Sequence, residues 1–284
     1  MSQAPFVNSV FHPSDFSPAS HAAFAHALAM TLYRQGSLTV LHVVPPDGAI
    51  DTWVDSPQVR QTLEQWGLLE PGSERTDVFD KLAIRVSKIN VRSGDPLKTI
   101  VGEMEKRPTD LVVLATEGRE GMPRWIKPSV AEGVAKRSRV MTLFVPNGSD
   151  GFVSPSDGQI AIRRILVPVD HQPGPEAAIA YATRAALMSR AEPVELVLLR
   201  VGDEAGWPEL DLPELPSCAW KRATRSGAVV DEIAAAAAEL SADLIVMATE
   251  GSKGILDALR GSVTEQVLRR APCPVLAVPA DRSY

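Results

Sequence analysis

Cysteine is nearly missing: the 284 residues hold two, Cys218 and Cys273, 55 positions apart and without a Cys-x-x-Cys spacing or a neighbouring histidine. That excludes a disulfide scaffold and a cysteine-based zinc site, and leaves inert thiols in a reducing compartment as the expectation. The five histidines, His12, His21, His26, His42 and His171, show no ligand spacing; His21 and His26 are five apart and do not share a helix face, so no metal site is expected. Aromatic residues are only 5%, and Trp53, Trp66, Trp125, Trp207 and Trp220 fall mostly in segments read as packing between domains or subunits. Basic runs are absent as well: 29 basic residues against 35 acidic ones give a net charge of −6, no electrostatic footprint for a nucleic acid. No apolar run approaches the roughly 20 residues of a bilayer span. The most apolar stretch, residues 21–33, is broken by His26, so no membrane contact is expected. Met1 to Asp15 has no charged start followed by an apolar block, so no secretory signal is read there and a cytoplasmic location is expected.

What is present is an ordinary globular composition, 45% hydrophobic and 23% charged, in a length suited to one large domain or two of about 140 residues. Self-similarity decides between them. Asp110-Leu-Val-Val-Leu-Ala-Thr-Glu-Gly118 returns as Asp243-Leu-Ile-Val-Met-Ala-Thr-Glu-Gly251, a shift of 133. The same shift carries Ser93-Gly94 onto Ser226-Gly227, Ser129-Val-Ala-Glu132 onto Ser262-Val-Thr-Glu265, and Leu143-Phe-Val-Pro146 onto Leu276-Ala-Val-Pro279. Nearer the N-terminus the shift is 155, taking Val10-Phe-His-Pro-Ser-Asp15 onto Ile165-Leu-Val-Pro-Val-Asp170, so the second copy is 22 residues shorter. The difference falls where the first copy has Asp47 to Ala83 and the second only Gly202 to Ala219. The Gly-, Ser-, Asp- and Pro-rich stretch between the copies reads as a flexible linker. Two domains, 1–147 and 161–284, flank a linker at 148–160.

Each copy alternates short β-branched runs with helical patterns. In the first copy strands are expected at 9–12, 38–44, 85–91, 111–115 and 142–145. Between the first two, Phe24, Leu28 and Leu32 recur every four residues, the stripe of an amphipathic helix. Ser17-Pro18 is expected to open that helix and Gly36 to close it. Ser129/Glu132 and Ser262/Glu265 read as capping boxes of the last helix in each copy. Alternating strand and helix makes an α/β fold with a parallel sheet covered on both faces.

In such a sheet, ligands bind beyond the carboxyl ends of the strands where the strand order reverses. Asp15 or Asp170 would arrive there from strand one, and Leu41-His-Val43 or Leu199-Arg-Val201 from strand two. Strand four would bring Gly118-x2-Gly121 or Gly251-x2-Gly254. Glycines let backbone amides close on phosphate oxygens, and the following helix aims its free N–H groups at the anion. With a carboxylate for a ribose hydroxyl or adenine amine, the set suits a nucleotide.

With Val167-Pro-Val-Asp170, Gly251-Ser-Lys-Gly254, Gly261-Ser-Val-Thr-Glu265 and Ala271-Pro-Cys-Pro-Val-Leu-Ala-Val-Pro279 in this order, the sequence resembles the universal stress protein family over nearly its whole length. The resemblance implies two tandem Rossmann-like (adenine nucleotide alpha hydrolase-like) domains, each a five-stranded parallel sheet of order 3-2-1-4-5. The last strands of the two would pair antiparallel within the chain, with room for a further homodimer. It implies ATP or a related adenine nucleotide, with or without magnesium, in the second domain. Asp170 would meet ribose or adenine, and the Val201 backbone the adenine. Gly251, Gly254, Gly261 and Ser262 would hold the phosphates, and Val263 would line the pocket. The first-copy counterparts are Asp15, Val43, Gly118, Gly121, Ser129 and Val130.

Both loops carry a six-residue spacer where the family pattern has nine, which makes a smaller phosphate cup. Pro128 replaces the last glycine in the first copy and has no N–H to give, so that copy is expected to be the poorer site. Each residue also has a structural reading: Ser262 as a helix cap, Gly251 and Gly254 as a turn, Asp170 as a cap before His171-Gln-Pro. Lys253 and Arg260 lie close enough in sequence to reach phosphates but read rather as solvated surface charges, and Glu117 and Glu250 as anchors of their loops rather than magnesium ligands. No nucleophile constellation stands out, so no catalytic residue is named and at most slow ATP hydrolysis is expected. The alternative function is a non-nucleotide-binding assembly module with vestigial sites.

Overall fold

A computed structural model of the protein describes residues 7–17, 19–47, 58–116, 140–149, 151–250 and 263–281. In the first half the order is β1 (Ser9–Pro13), α1 (Ala19–Arg34), β2 (Ser37–Val44), α2 (Val59–Gln65), α3 (Asp77–Leu82), β3 (Arg85–Arg92), α4 (Pro96–Glu105), β4 (Leu111–Thr116) and β5 (Met141–Pro146). The second half runs β6 (Arg164–Pro168), α5 (Glu176–Met188), β7 (Val194–Val201), a single 3-10 turn (Glu204–Gly206), β8 (Cys218–Arg225), α6 (Val229–Glu239), β9 (Leu244–Thr249), α7 (Val263–Leu268) and β10 (Val275–Pro279).

The ten strands among the described residues form one sheet, β3-β2-β1-β4-β5-β10-β9-β6-β7-β8. Each half contributes five parallel strands in the order third, second, first, fourth, fifth. The halves are continuous with one another: β5 and β10 pair antiparallel, with Phe144 opposite Val275 and Leu143 opposite Leu276. On one face a single apolar cluster spans both halves, with Ala27 and Leu28 of α1, Ala182 and Ala185 of α5, and Leu143 and Leu276 of the seam. The alanines let both helices lie close to the strands. On the other face the core divides, one cluster around Met247 and Ile233 and another around Phe144 and Met104.

Helix α1 departs from the expected terminus. The left-handed residue is Gln35 (φ 53°), not Gly36. Gly36 serves a close approach instead, because a Cβ there would sit 2.2 Å from the Asn8 carbonyl oxygen. That carbonyl accepts from the Ser37 amide at 2.8 Å as β1 and β2 begin to pair. At the other end, Ser17 stands where the helix opens, its carbonyl accepting from the Ser20 amide at 2.9 Å. The Ser129/Glu132 box lies outside the described residues, as does Ser262 of the other; Glu265 pairs with Arg269 at 2.6 Å, one turn on.

The stretch expected to be a flexible linker is packed. Phe152, Val153, Ile160 and Ile162 are buried, and Val153 bridges Ile160. Local composition favours turns, which is what the segment makes, but its few apolar residues reach the core and hold it down. The surplus first-half segment braces it: Trp66, just past α2, donates from Nε1 to the Pro155 carbonyl at 3.1 Å. Gly158 (φ +69°) must lack a side chain there, since a Cβ would lie 2.3 Å from the Trp66 ring. From α1, His26 accepts the Phe152 amide at Nε2 (3.1 Å) while Nδ1 donates to the Ala22 carbonyl (2.7 Å). The Phe152 bond needs the neutral ring, and burial pushes its pKa down to about 4 against the opposing Ala22 bond. His12 on β1 is equally buried and also lowered to about 4 by burial, against the pull of its Val113 bond and of Asp15.

Two outcomes are expected. In the unfolded chain these imidazoles take a proton near 6.5, in the folded protein only near 4. Stability should therefore be level above pH 7 and fall between pH 6.5 and 4, with a slope of about 2 kcal/mol per pH unit near pH 5 from the two rings together. Denaturant titrations across that range check it, and His26→Gln, whose amide can both donate and accept, should roughly halve the slope. Gly36→Ala should cost about 2 kcal/mol or more through the clash with Asn8, read as a lower denaturation midpoint at unchanged m-value.

Candidate functional site

The crevice lies where the strand order of the second half reverses, between β6 and β9. Beyond their carboxyl ends is a cavity of about 410 Å³. Its floor is the sheet and its roof is α6 and α7, with Ile233 and Leu268 facing Met247 and Ala277 across the space. Asp170, Val201 and Val263 all line it. Of the residues expected at the nucleotide, these three are brought together; Gly251, Gly254, Gly261 and Ser262 lie outside the described residues, with Lys253 and Arg260. Thr249 and Glu250 complete the β9 end. The charged side chains lining the cavity among the described residues are all acidic: Asp170, Glu250 and Glu265.

Asp170 is held on one side and open on the other. Its Oδ1 accepts from Arg200 Nη1 at 2.9 Å and from the His171 amide at 2.8 Å. The carboxylate is 61% exposed and the arginine only 13%. Arg200 reaches it from β7, on the sheet face opposite that of its neighbours Leu199 and Val201, which line the cavity. The 3-10 turn closes over the guanidinium so tightly that a Cβ on Gly206 would lie 2.7 Å from Nη2. Its Nε is buried with no hydrogen-bond partner among the described residues. Sequence reasoning carried Arg200 only as the middle of Leu199-Arg-Val201; the signal was an arginine inside the otherwise apolar end of a strand.

The first half shows what the same positions do when assembled differently. Pro13 aligns with Leu41 as Pro168 does with Leu199, so Asp15 matches Asp170 and His42 matches Arg200. Asp15 turns inward and accepts from the Ser17 amide (3.0 Å), the Ser17 hydroxyl (2.7 Å) and the Ser20 hydroxyl. Burial works to raise its pKa, but the bonds from Ser20 and Ser17 outweigh it and hold the carboxyl below its ordinary range. His42 bonds the Ser14 carbonyl through Nδ1 at 2.8 Å, and Phe16 stacks on its ring at 4.1 Å. Val43 is buried. Gly118, Gly121, Pro128, Ser129 and Val130 lie outside the described residues.

Among the described residues no group of three or more His, Cys, Asp or Glu side chains could hold a metal ion, and no helix is long and apolar enough to cross a membrane. Cys218 and Cys273 are both free thiols. Burial, with Asp243 nearby, pushes the Cys273 thiol up to about 12, so it carries no thiolate at neutral pH.

The model of the universal stress protein family matches residues 9–146 and 215–279. The chain is similar to the universal stress proteins Rv2005c and Rv2623 of Mycobacterium tuberculosis, at 28% and 27% identity. Those alignments cover 92% of this chain and 94% and 93% of those proteins. In fold it is similar to the crystal structure of a universal stress protein from Archaeoglobus fulgidus, with a TM-score of 0.63 at 20% identity over 96% of this chain and 98% of that one. Two tandem units of order 3-2-1-4-5, matched in both halves by one family model, make this chain a member of the universal stress protein family.

Proposed function

We propose that the protein is a cytoplasmic nucleotide-binding regulator of the stress response that takes ATP or a related adenine nucleotide in its second half and hydrolyses it slowly at most. The observation that carries this reading is Asp170, presented at the rim of a 410 Å³ cavity with one oxygen pinned by Arg200 and the other without a partner among the described residues. Pockets of roughly 300–1,000 Å³ suit small ligands, and the walls here are what a purine needs. Leu199, Val201, Ile233 and Met247 offer apolar contact, and the open Asp170 oxygen can accept from a ribose hydroxyl or the adenine amine. Asp170, Glu250 and Glu265 would repel a bare triphosphate, so Mg²⁺ on the phosphates would relieve that repulsion, and holding the phosphates is the role the family resemblance gives Gly251, Gly254, Gly261 and Ser262. In the first half Asp15 is already used by Ser17 and Ser20, which favours the assembly reading for that half alone.

Calorimetric titration with ATP is expected to show one site per chain, tighter with magnesium than without; no heat at millimolar nucleotide would sink the reading. Asp170→Asn should weaken binding roughly 10- to 100-fold, the loss of a hydrogen bond to a charged group. Asp15→Ala should leave affinity unchanged and lower stability by about 1 kcal/mol through the opening of α1. Arg200→Gln should weaken binding as well, and in an Asp170→Asn background should add nothing, because it acts through that carboxylate. Additive losses would assign Arg200 a separate role.

A further inference from the structure

The floor of the cavity does not stop at the boundary between the halves. Its sheet residues include pairs two apart, Leu199 and Val201 on β7, Met247 and Thr249 on β9, Ala277 and Pro279 on β10. That is the period of a single sheet face. The same period continues onto β5, where Val140, just before the strand, Thr142 and Phe144 line the same space. Register explains it: Ala277 lies opposite Thr142 in the antiparallel seam, so the carboxyl end of β10 runs beside the amino end of β5. Five neighbouring strands, from β7 to β5, at about 4.8 Å spacing make a floor of roughly 19 Å, and its last strand belongs to the first half. The roof crosses too. Leu268 on α7 lines the cavity and also packs against the cluster that joins Ala277 of β10 to Phe144, Ile100 and Met104 of the first half.

We infer that the second-half site is composite: the first half is one of its walls, and whatever fills the cavity is coupled to the β5–β10 seam and, through Leu268, to the core of the first half. This rests on the nucleotide reading above and adds its regulation. A nucleotide that touches this wall stiffens the joint between the halves, and a partner that shifts the first half changes nucleotide affinity by the same factor that the nucleotide changes the partner's. The half whose own carboxylate is occupied would thereby act as the built-in second subunit of the other half's site.

The test uses the full chain with MgATP as the probe. Hydrogen exchange of the β5 amides, Met141–Pro146, is expected to slow on adding MgATP along with that of β9. Val140→Trp, at a half-buried wall position, should weaken MgATP at least tenfold while leaving the ligand-free melting temperature in place. If MgATP raises the melting temperature but β5 exchange is unchanged and Val140→Trp binds within twofold of the parent, the composite site is wrong and the nucleotide reading stands. If Val140→Trp does not fold, β5 exchange decides alone, slowing supporting the inference and no change removing it. No melting shift with MgATP would overturn both.

Discussion

The antiparallel pairing of β5 with β10 is the constraint on which the rest depends. Every residue of both strands is buried. Separated, each would present a row of unpaired backbone groups on an apolar edge, the surface most prone to pair with another chain. Joining them removes both edges at once and turns two five-stranded sheets into one of ten. It also sets direction. Because the pairing is antiparallel while each half is parallel inside, the carboxyl ends of the two halves point to opposite edges of the sheet. Both alanine-rich helices, α1 and α5, share one face with the continuous core. The divided face is then the one with room for a crevice.

The packing on the continuous face explains the unequal lengths of the copies. The first half carries the longer segment between its second and third strands, and that segment brings Trp66 to the backbone between the copies. His26 and Trp66 hold this backbone from the first half, and the Arg190 amide donates to the Ile160 carbonyl from the second. The second half contributes most of the cavity lining, the first half the Trp66 and His26 side chains of the clamp and one cavity wall. Duplication supplied equal units, and divergence gave them separate work.

How far these features were legible in the residues differs by their physical origin. Strands came within a residue of their observed ends, because burial on both faces demands continuous apolar runs such as Leu111-Val-Val-Leu114 that nothing else in the chain imitates. The reversal point followed from strand order, and Asp170, Val201 and Val263 meet there. Tertiary contacts were harder to see. Gly36 looks like a helix terminator, and only the proximity of Asn8 shows that it is needed for close approach while Gln35 takes the left-handed turn. Residues 148–160 look like a linker because glycine, serine and aspartate dominate, and composition cannot show that Phe152 and Ile160 find a core. Arg200 was hidden for the same reason: its partner lies 30 residues earlier in the chain.

The two halves place the same carboxylate in the same position and use it differently, and the difference lies in the residues around it. In the first half two serines follow at positions two and five beyond Asp15, close enough to satisfy it locally, and histidine on β2 bonds backbone instead. In the second half Asp170 is followed by His171-Gln-Pro-Gly, which has no hydroxyl and bonds the carboxylate through the His171 amide, so the carboxylate stays outward. An outward carboxylate swings freely unless something holds it. Arg200, mostly buried beneath the Gly206 turn, supplies that hold without covering the second oxygen. The open acceptor at the rim is thus the joint result of what the chain omits after Asp170 and of one cation placed beneath the sheet, which is why restoring serines at 172 and 175 would be expected to close it as they close Asp15.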